Sequence, residues 1–452
     1  MIHLSCGLRT AARTAVRYIG RTPTATGAPP RATLTDRVPP VSVRPMRATI
    51  MRTALAPLTL VLLALAGGCG EDDHLRFVAP PPAATATATP VPLTSADVLR
   101  PGPYAVGVAT YAYEDASRPT MANGTYPGAA SRVLDTEVWY PIDRRDAGTD
   151  LETRDAPVAH TGRTSPLIIY SHGFMSMRTG GAYLARQLAT YGYVVAAPDF
   201  PLTTTAAPGG PNVLDLANQP GDVRFVIDRM LALDAFANVI DPTRIGLTGL
   251  SLGGSTTLLT TFHPTLHDPR IRAAAPMAPG GCFMNRTFYG DRVVPLLVVH
   301  GDIDAITPYE ANGVRPFTLA NPPTYLATLL NGTHTAFTHG ADVIFESQNN
   351  ADDLGCRALG AGDTLGDSTF LDQLGGAEAG IAGDCPALCP LARNPRAMRP
   401  SRQLQLTVLS IVPFFNATLK GDARASAFLE HTLAAENADV MLQFRAVGSP
   451  SP

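Results

Sequence analysis

Residues 245–254 read Ile-Gly-Leu-Thr-Gly-Leu-Ser-Leu-Gly-Gly, a Gly-x-Ser-x-Gly pattern centred on Ser251. It follows a β-branched, apolar run at 244–248 and precedes a segment of helical period at 252–262. A serine on such a strand-to-helix turn is forced into a strained backbone region, while Gly249 and Gly253 let neighbouring chain approach without Cβ clashes. The chemistry implied is nucleophilic attack by the Ser251 hydroxyl. That hydroxyl is a poor nucleophile at neutral pH, so it needs a base to take its proton and an acid to hold the base in the right tautomer.

Two downstream segments supply candidates. The apolar run at 296–300 ends in His300-Gly301-Asp302-Ile303-Asp304, a strand followed by two acids. After the next such run, at 325–330, comes Asn331-Gly332-Thr333-His334, a histidine in a glycine-containing loop. His334 is expected to be the base, with His339 as the alternative, and His300 is expected to be structural. Acyl transfer also needs N–H donors aimed at the oxygen that gains charge. Ser171-His172-Gly173-Phe174, after the run at 167–171, is a suitable loop, and the helix N-terminus behind Ser251 adds favourable dipole charge.

These residues must be held by elements of two kinds. Short apolar runs at 104–113, 133–140, 167–171, 193–197, 244–248, 273–278, 296–300 and 325–330 alternate with helical-period segments at 181–190, 221–233, 252–262 and 403–419. That rhythm predicts an α/β fold, a mostly parallel central sheet of about eight strands flanked by helices. Residues 336–400 break it. They are rich in Gly and Asp and hold three of the four late cysteines, which predicts an insertion, either a stapled surface excursion or a cap over the site. Its acids, among them Asp352, Asp353, Asp363 and Asp367, lack the spacing of a calcium loop and are expected to be solvated loop charges.

Taken together, the four motifs resemble the α/β-hydrolase superfamily over about residues 100–435. In detail they are similar to bacterial relatives of platelet-activating-factor acetylhydrolase and dienelactone hydrolase. The likeness includes Thr136-Glu137-Val138-Trp139-Tyr140-Pro141, the stretch from Gly192 to Asp199, Asp222-Val223-Arg224-Phe225-Val226, and the stretch from Phe414 to Gly421. It implies the triad order serine, acid, histidine. It selects Asp304 over Asp302, because these hydrolases carry His-Gly-x-x-Asp with the last residue in the triad. It also implies that the oxyanion donors are the amides of Leu252 and Phe174. Dienelactone hydrolases proper use cysteine where this chain has Ser251, so a serine esterase is the expectation, acting on a small-molecule or polymeric ester without cofactor or metal. A cutinase-like polyester hydrolase or a lipase is the alternative within this chemistry. Outside it stands a retired surface lipoprotein that binds lipid or glycan.

The ends differ from the middle. Residues 1–45 carry scattered arginines and prolines without apolar period, as expected of a disordered or mis-started leader. From Met46, Arg47 and Arg52 precede an apolar run at 58–66 and then Leu65-Ala66-Gly67-Gly68-Cys69, which resembles a bacterial lipoprotein signal with Cys69 as the lipid acceptor. The run is too short to span a bilayer. A Pro/Thr/Ala-rich tether follows at 70–96, the catalytic domain at 97–440, and a disordered tail at 441–452. These features place the protein at the cell envelope, anchored to membrane through Cys69, or secreted. Beyond Cys69 only Cys282, Cys356, Cys385 and Cys389 remain, so two disulfides in any of three pairings are open. The composition, 45% hydrophobic and 16% charged with net charge −3, suits a large buried core and gives no sign of nucleic-acid binding.

Overall fold

Strand β4 (Ser165–Ser171) is buried along its whole length, which is how a strand covered on both faces reads. Its side chains alternate between two cores. Leu167 and Ile169 enter one and Ile168 and Tyr170 the other, as the two-residue period of a strand requires. The structure, a computed structural model, describes residues 91–159, 162–359, 368–382, 385–390 and 393–448. The expected leader, the signal with Cys69 and most of the tether lie outside them, as do Asp363 and Asp367.

Around β4 the chain lays β1 (Ala105–Asp115), β2 (Arg132–Ile142), β3 (Thr153–Arg154), β5 (Val194–Pro198), β6 (Ile240–Leu250), β7 (Ile271–Met277), β8 (Leu296–Gly301), β9 (Thr324–Leu329) and β10 (Val440–Arg445). Across the sheet they run β10-β9-β8-β7-β6-β4-β5-β2-β1-β3. The stretch from β5 through β9 is parallel, while β2 joins it antiparallel to β5 and β10 closes the other edge antiparallel to β9. Helices α2 (Gln219–Ala232) and α3 (Leu252–Phe262) cover one face through Val226, Ile227, Leu258 and Phe262. Helices α1 (Ala182–Thr190) and α5 (Pro400–Lys420) cover the other through Leu184, Leu188, Leu409 and Phe414.

Helix α3 has no polar face, and all its residues are buried. Its threonines are accommodated by bonding back one turn, Thr256 to the Leu252 carbonyl at 3.0 Å and Thr257 to that of Gly253 at 2.9 Å.

The eight strands foreseen are present, and β3 and β10 add one at each edge. Two expectations about the ends need correction. The tail expected to be disordered from 441 instead forms β10, because its backbone pairs with β9 from Val440↔Leu329 to Arg445↔Thr324. The tether limit at 96 falls inside a short helix, Ser95–Leu99, capped by Thr94. The segment at 336–400 does interrupt the α/β rhythm between β9 and α5, and it carries helix α4 (Asp352–Leu359). Its cysteines choose one of the three open pairings, with Cys282 joined to Cys385 and Cys356 to Cys389.

Charge also holds the layers together. Arg132 on β2 is fully buried and grips two carboxylates, Asp215 at 3.0 and 2.9 Å and Asp222 of α2 at 2.7 and 2.6 Å. Arg118 reaches the same Asp222 at 2.7 Å. Truncating one partner of such a cluster strands the others in the interior. Arg132→Ala is therefore expected to cost about 3–5 kcal/mol, read as a lowered urea midpoint; a midpoint within error of wild type would show that the cluster does not tie β2 to α2.

Candidate active site

At the end of β6 the backbone turns sharply into α3, and Ser251 sits on that turn with φ 58° and ψ −118°. The left-handed φ is costly for a residue with a Cβ, so the surroundings must enforce it. They do so by close approach. A Cβ on Gly249 would lie 2.4 Å from the Gly253 carbonyl oxygen, and one on Gly253 would lie 2.0 Å from that of Ser171. The Ser251 amide donates to the Met277 carbonyl at 2.9 Å, which fastens the turn to β7.

The acid and base loops leave the ends of β8 and β9. Asp304 is buried, and its carboxylate is fully used. Oδ1 accepts the amides of Ile306 at 2.9 Å and Thr307 at 2.7 Å, while Oδ2 meets His334 Nδ1 at 2.8 Å and the Thr307 hydroxyl at 3.0 Å. Burial alone would push the Asp304 carboxyl up, but the charge and hydrogen bond of His334, with His300 and the Thr307 amide, outweigh it and hold it below the usual carboxylate value. For His334 burial pulls the other way, towards the neutral ring; Asp304, and more weakly Asp352, reverse this and raise its pKa. Nδ1 is thereby engaged with the acid, which leaves Nε2 as the ring nitrogen able to exchange a proton with a substrate-side hydroxyl.

The rejected candidates have other positions. Asp302 accepts the Asn331 amide at 2.6 Å and so braces the base loop instead of touching the His334 ring. His339 stacks on Tyr183, and its amide donates to the Gly180 carbonyl at 2.8 Å. His300 is buried with Nδ1 3.0 Å from the Gly301 carbonyl and 3.9 Å from Asp304, and burial lowers its pKa.

Phe174, Ser251 and Leu252 line one cavity of about 410 Å³, together with Thr307, whose hydroxyl touches both Asp304 and His334. The loop bearing Phe174 is pinned by His172. The Phe200 amide donates to His172 Nε2 at 3.1 Å, so the ring proton is on Nδ1, which donates to the Gly173 carbonyl at 2.8 Å. Burial lowers the His172 pKa, in keeping with that neutral tautomer. Among the described residues the cavity wall is mostly apolar and carries no charged side chain; the insertion contributes Leu359, Pro386 and Leu388 to it.

Three residues escaped the sequence reading. His172 and Thr307 had a faint signal, a His-Gly after a strand and a hydroxyl three residues beyond the acid. Asp352 had none. Expected as a solvated loop charge, it is fully buried and accepts the amides of Ala305, His334 and Thr335, because the insertion folds inward at this point.

If Asp304 is what raises the His334 pKa, removing its charge must lower it. His334 is expected to titrate above about 6.5 in the intact chain, and Asp304→Asn to bring the midpoint down, read from imidazole proton shifts by NMR. An unmoved midpoint would show the two groups to be electrostatically uncoupled.

A family model described as PET hydrolase-like (PETase) matches residues 155–348. Cutinase est1 from Thermobifida alba is 30% identical over 175 residues, which cover 37% of this chain and 53% of that protein. Lipase 1 from Moraxella sp. (strain TA144) is 26% identical over 163 residues, covering 36% of this chain and 46% of that one. The chain thus spans about half the length of the curated relatives it matches. Among solved structures, a ferulic acid esterase from Streptomyces cinnamoneus superposes with a TM-score of 0.52 over 76% of this chain and 98% of the other, at 21% identity. With the strand order and flanking helices above, this is the α/β-hydrolase fold.

Proposed function

We propose that this chain is a carboxylic ester hydrolase in which Ser251 is the nucleophile, His334 the base and Asp304 the acid that orients it. The observation that carries the reading is the Asp304–Thr307–His334 cluster beside an apolar cavity into which a strained serine opens.

The chemistry follows in two steps. His334 Nε2 takes the Ser251 proton as Oγ bonds to the ester carbonyl carbon. The carbonyl oxygen becomes an oxyanion held by the Leu252 and Phe174 amides, at the N-terminus of α3 and on the loop after β4. Collapse expels the alcohol, which takes the proton from His334. Water, deprotonated by the same nitrogen, then attacks the acyl-enzyme; the acid leaves and the proton returns to Ser251. Asp304 stays ionised throughout and stabilises the imidazolium that forms twice per turnover.

The wall, apolar and without charge among the described residues, suits a neutral acyl group. A cavity of about 410 Å³, walled in part by Leu359, Pro386 and Leu388, favours short-chain or lipid-like esters. The finer likeness to bacterial relatives of platelet-activating-factor acetylhydrolase and dienelactone hydrolase rests on sequence motifs. The match to a PET hydrolase-like family and to a cutinase supports a second reading, a polyester as substrate. Two disulfides fit an oxidising compartment. No described helix is long and apolar enough to cross a membrane. The resemblance of residues 46–69 to a lipoprotein signal supports attachment to the cell envelope through a lipid on Cys69.

Ser251→Ala is expected to abolish p-nitrophenyl acetate cleavage and fluorophosphonate labelling while leaving the melting temperature near wild type. Retained turnover in that variant would overturn the assignment, and an unlabelled wild-type chain would favour a binding protein. On a panel of esters of graded acyl length the highest kcat/KM is expected at short chains, with little release from polyester film; film turnover that outpaces the soluble esters would move the substrate to the polymer reading.

A further inference from the structure

Asp352 is the first residue of α4, a position where an acid ordinarily serves the free amides of its own helix. Here it does not. Its three hydrogen bonds go to distant chain, Oδ2 to the amides of Ala305 at 3.1 Å and His334 at 3.0 Å, and Oδ1 to the amide of Thr335 at 2.7 Å. Their sequence separations are 47, 18 and 17 residues. Ala305 follows Asp304 directly, so one carboxylate spans the acid loop and the base loop.

The rest of the insertion reinforces this grip. The Cys389 amide donates to the Ala305 carbonyl at 2.6 Å, so both backbone groups of Ala305 are bound by inserted chain. Cys389 is joined to Cys356, which lies on α4 one turn beyond Asp352. Between them Gly355 sits so close that a Cβ would come within 2.4 Å of Thr335 Oγ1 and 2.9 Å of Ile306 Cδ1. Asp352 itself is aimed by Asn350, whose side-chain oxygen accepts its amide at 2.8 Å. Asn350, Asp352, Gly355, Cys356 and Cys389 all lie past residue 348, where the family match ends, whereas the loops they hold lie within it.

We propose that Asp352 is a positioning residue, whose buried carboxylate sets the spacing of the Asp304 and His334 loops from the disulfide-stapled insertion. The kinetic part of this inference rests on the ester hydrolase reading; the structural part does not. Burial and the charge of Asp304 push the Asp352 carboxyl up, against the pull of His334 and of the Thr335 and His334 amides, and in its ionised form its negative charge near His334 favours the imidazolium. Neutralising it therefore moves the acid limb of the rate profile to lower pH, a shift that loss of packing alone would not produce.

The test is Asp352→Asn in the full chain, with Asp352→Glu as the charge-conserving variant. Faster amide exchange is expected at residues 305, 334 and 335. For p-nitrophenyl acetate we expect kcat to fall about 10- to 100-fold, as misplaced catalytic groups cost, with KM within about twofold and the acid limb at lower pH. Asp352→Glu should keep the limb near its wild-type position. Unchanged exchange at the three amides would overturn the clamp, and faster exchange with unaltered kcat and limb would overturn its positioning role. Should the Asn variant fail to fold, the Glu variant carries the exchange and kcat readouts with the same overturning outcomes. If the wild-type chain cleaves no ester, the reading of Ser251 fails on that result alone, and amide exchange still decides the clamp.

Discussion

The architecture at the top of the sheet depends on how closely the turn after β6 crosses the end of β4. Two glycines, Gly249 and Gly253, bring backbone to backbone at distances that no side chain fits. From that crossing follow the left-handed φ of Ser251, the start of α3 directly behind it, and the proximity of the 172–174 loop, where a Cβ on Gly173 would lie 3.4 Å from that of Ser251. The strain is maintained because α3 is buried on every side and cannot relax outwards. The proposed nucleophile is thus presented by backbone geometry, and in that reading the side chains around it have only to supply charge and protons.

Proton chemistry demands a different kind of rigidity. Histidine and acid stand on loops that leave adjacent parallel strands, and loops are the least constrained parts of a fold. Here they are restrained from several sides. Gly301 and Gly332 approach so closely that a Cβ on the first would lie 2.3 Å from the carbonyl carbon of the second. Gln403 of α5 takes both backbone groups of Thr333, at 2.9 and 2.6 Å, and Asp302 takes the Asn331 amide. Thr307 is the junction within the cluster, since its hydroxyl reaches Asp304, His334 and the Ala278 carbonyl.

What could be read from sequence was local. The strands that flank the site announce themselves as continuous apolar runs because they are covered on both faces, and the elbow carries its glycines within five residues of one another. The half-exposed edge strand β10 sends no such signal. Met441 and Phe444 face outwards, so its apolar pattern is weak, and pairing with β9 makes it a strand. The burial of Asp352 is hidden from the sequence for a related reason. An acid among glycines looks solvated unless its amide partners are visible, and those lie far away along the chain. Cysteine pairing was equally illegible, because four thiols in loop sequence carry no spacing that distinguishes three connectivities.

The short helix Ser95–Leu99 lies near the start of the described residues, beside the segment that leads into β10. The Ser95 amide donates to Glu436 at 2.7 Å, and Asn437 donates to the Ser95 hydroxyl at 2.9 Å. The first described helix is therefore tied to the approach to β10, at the edge of the sheet and four strands from β6. Residues 95–99 thus brace the approach to an edge strand that pairs on one side, with β9, so the chain's first described turn and its last strand share their anchorage.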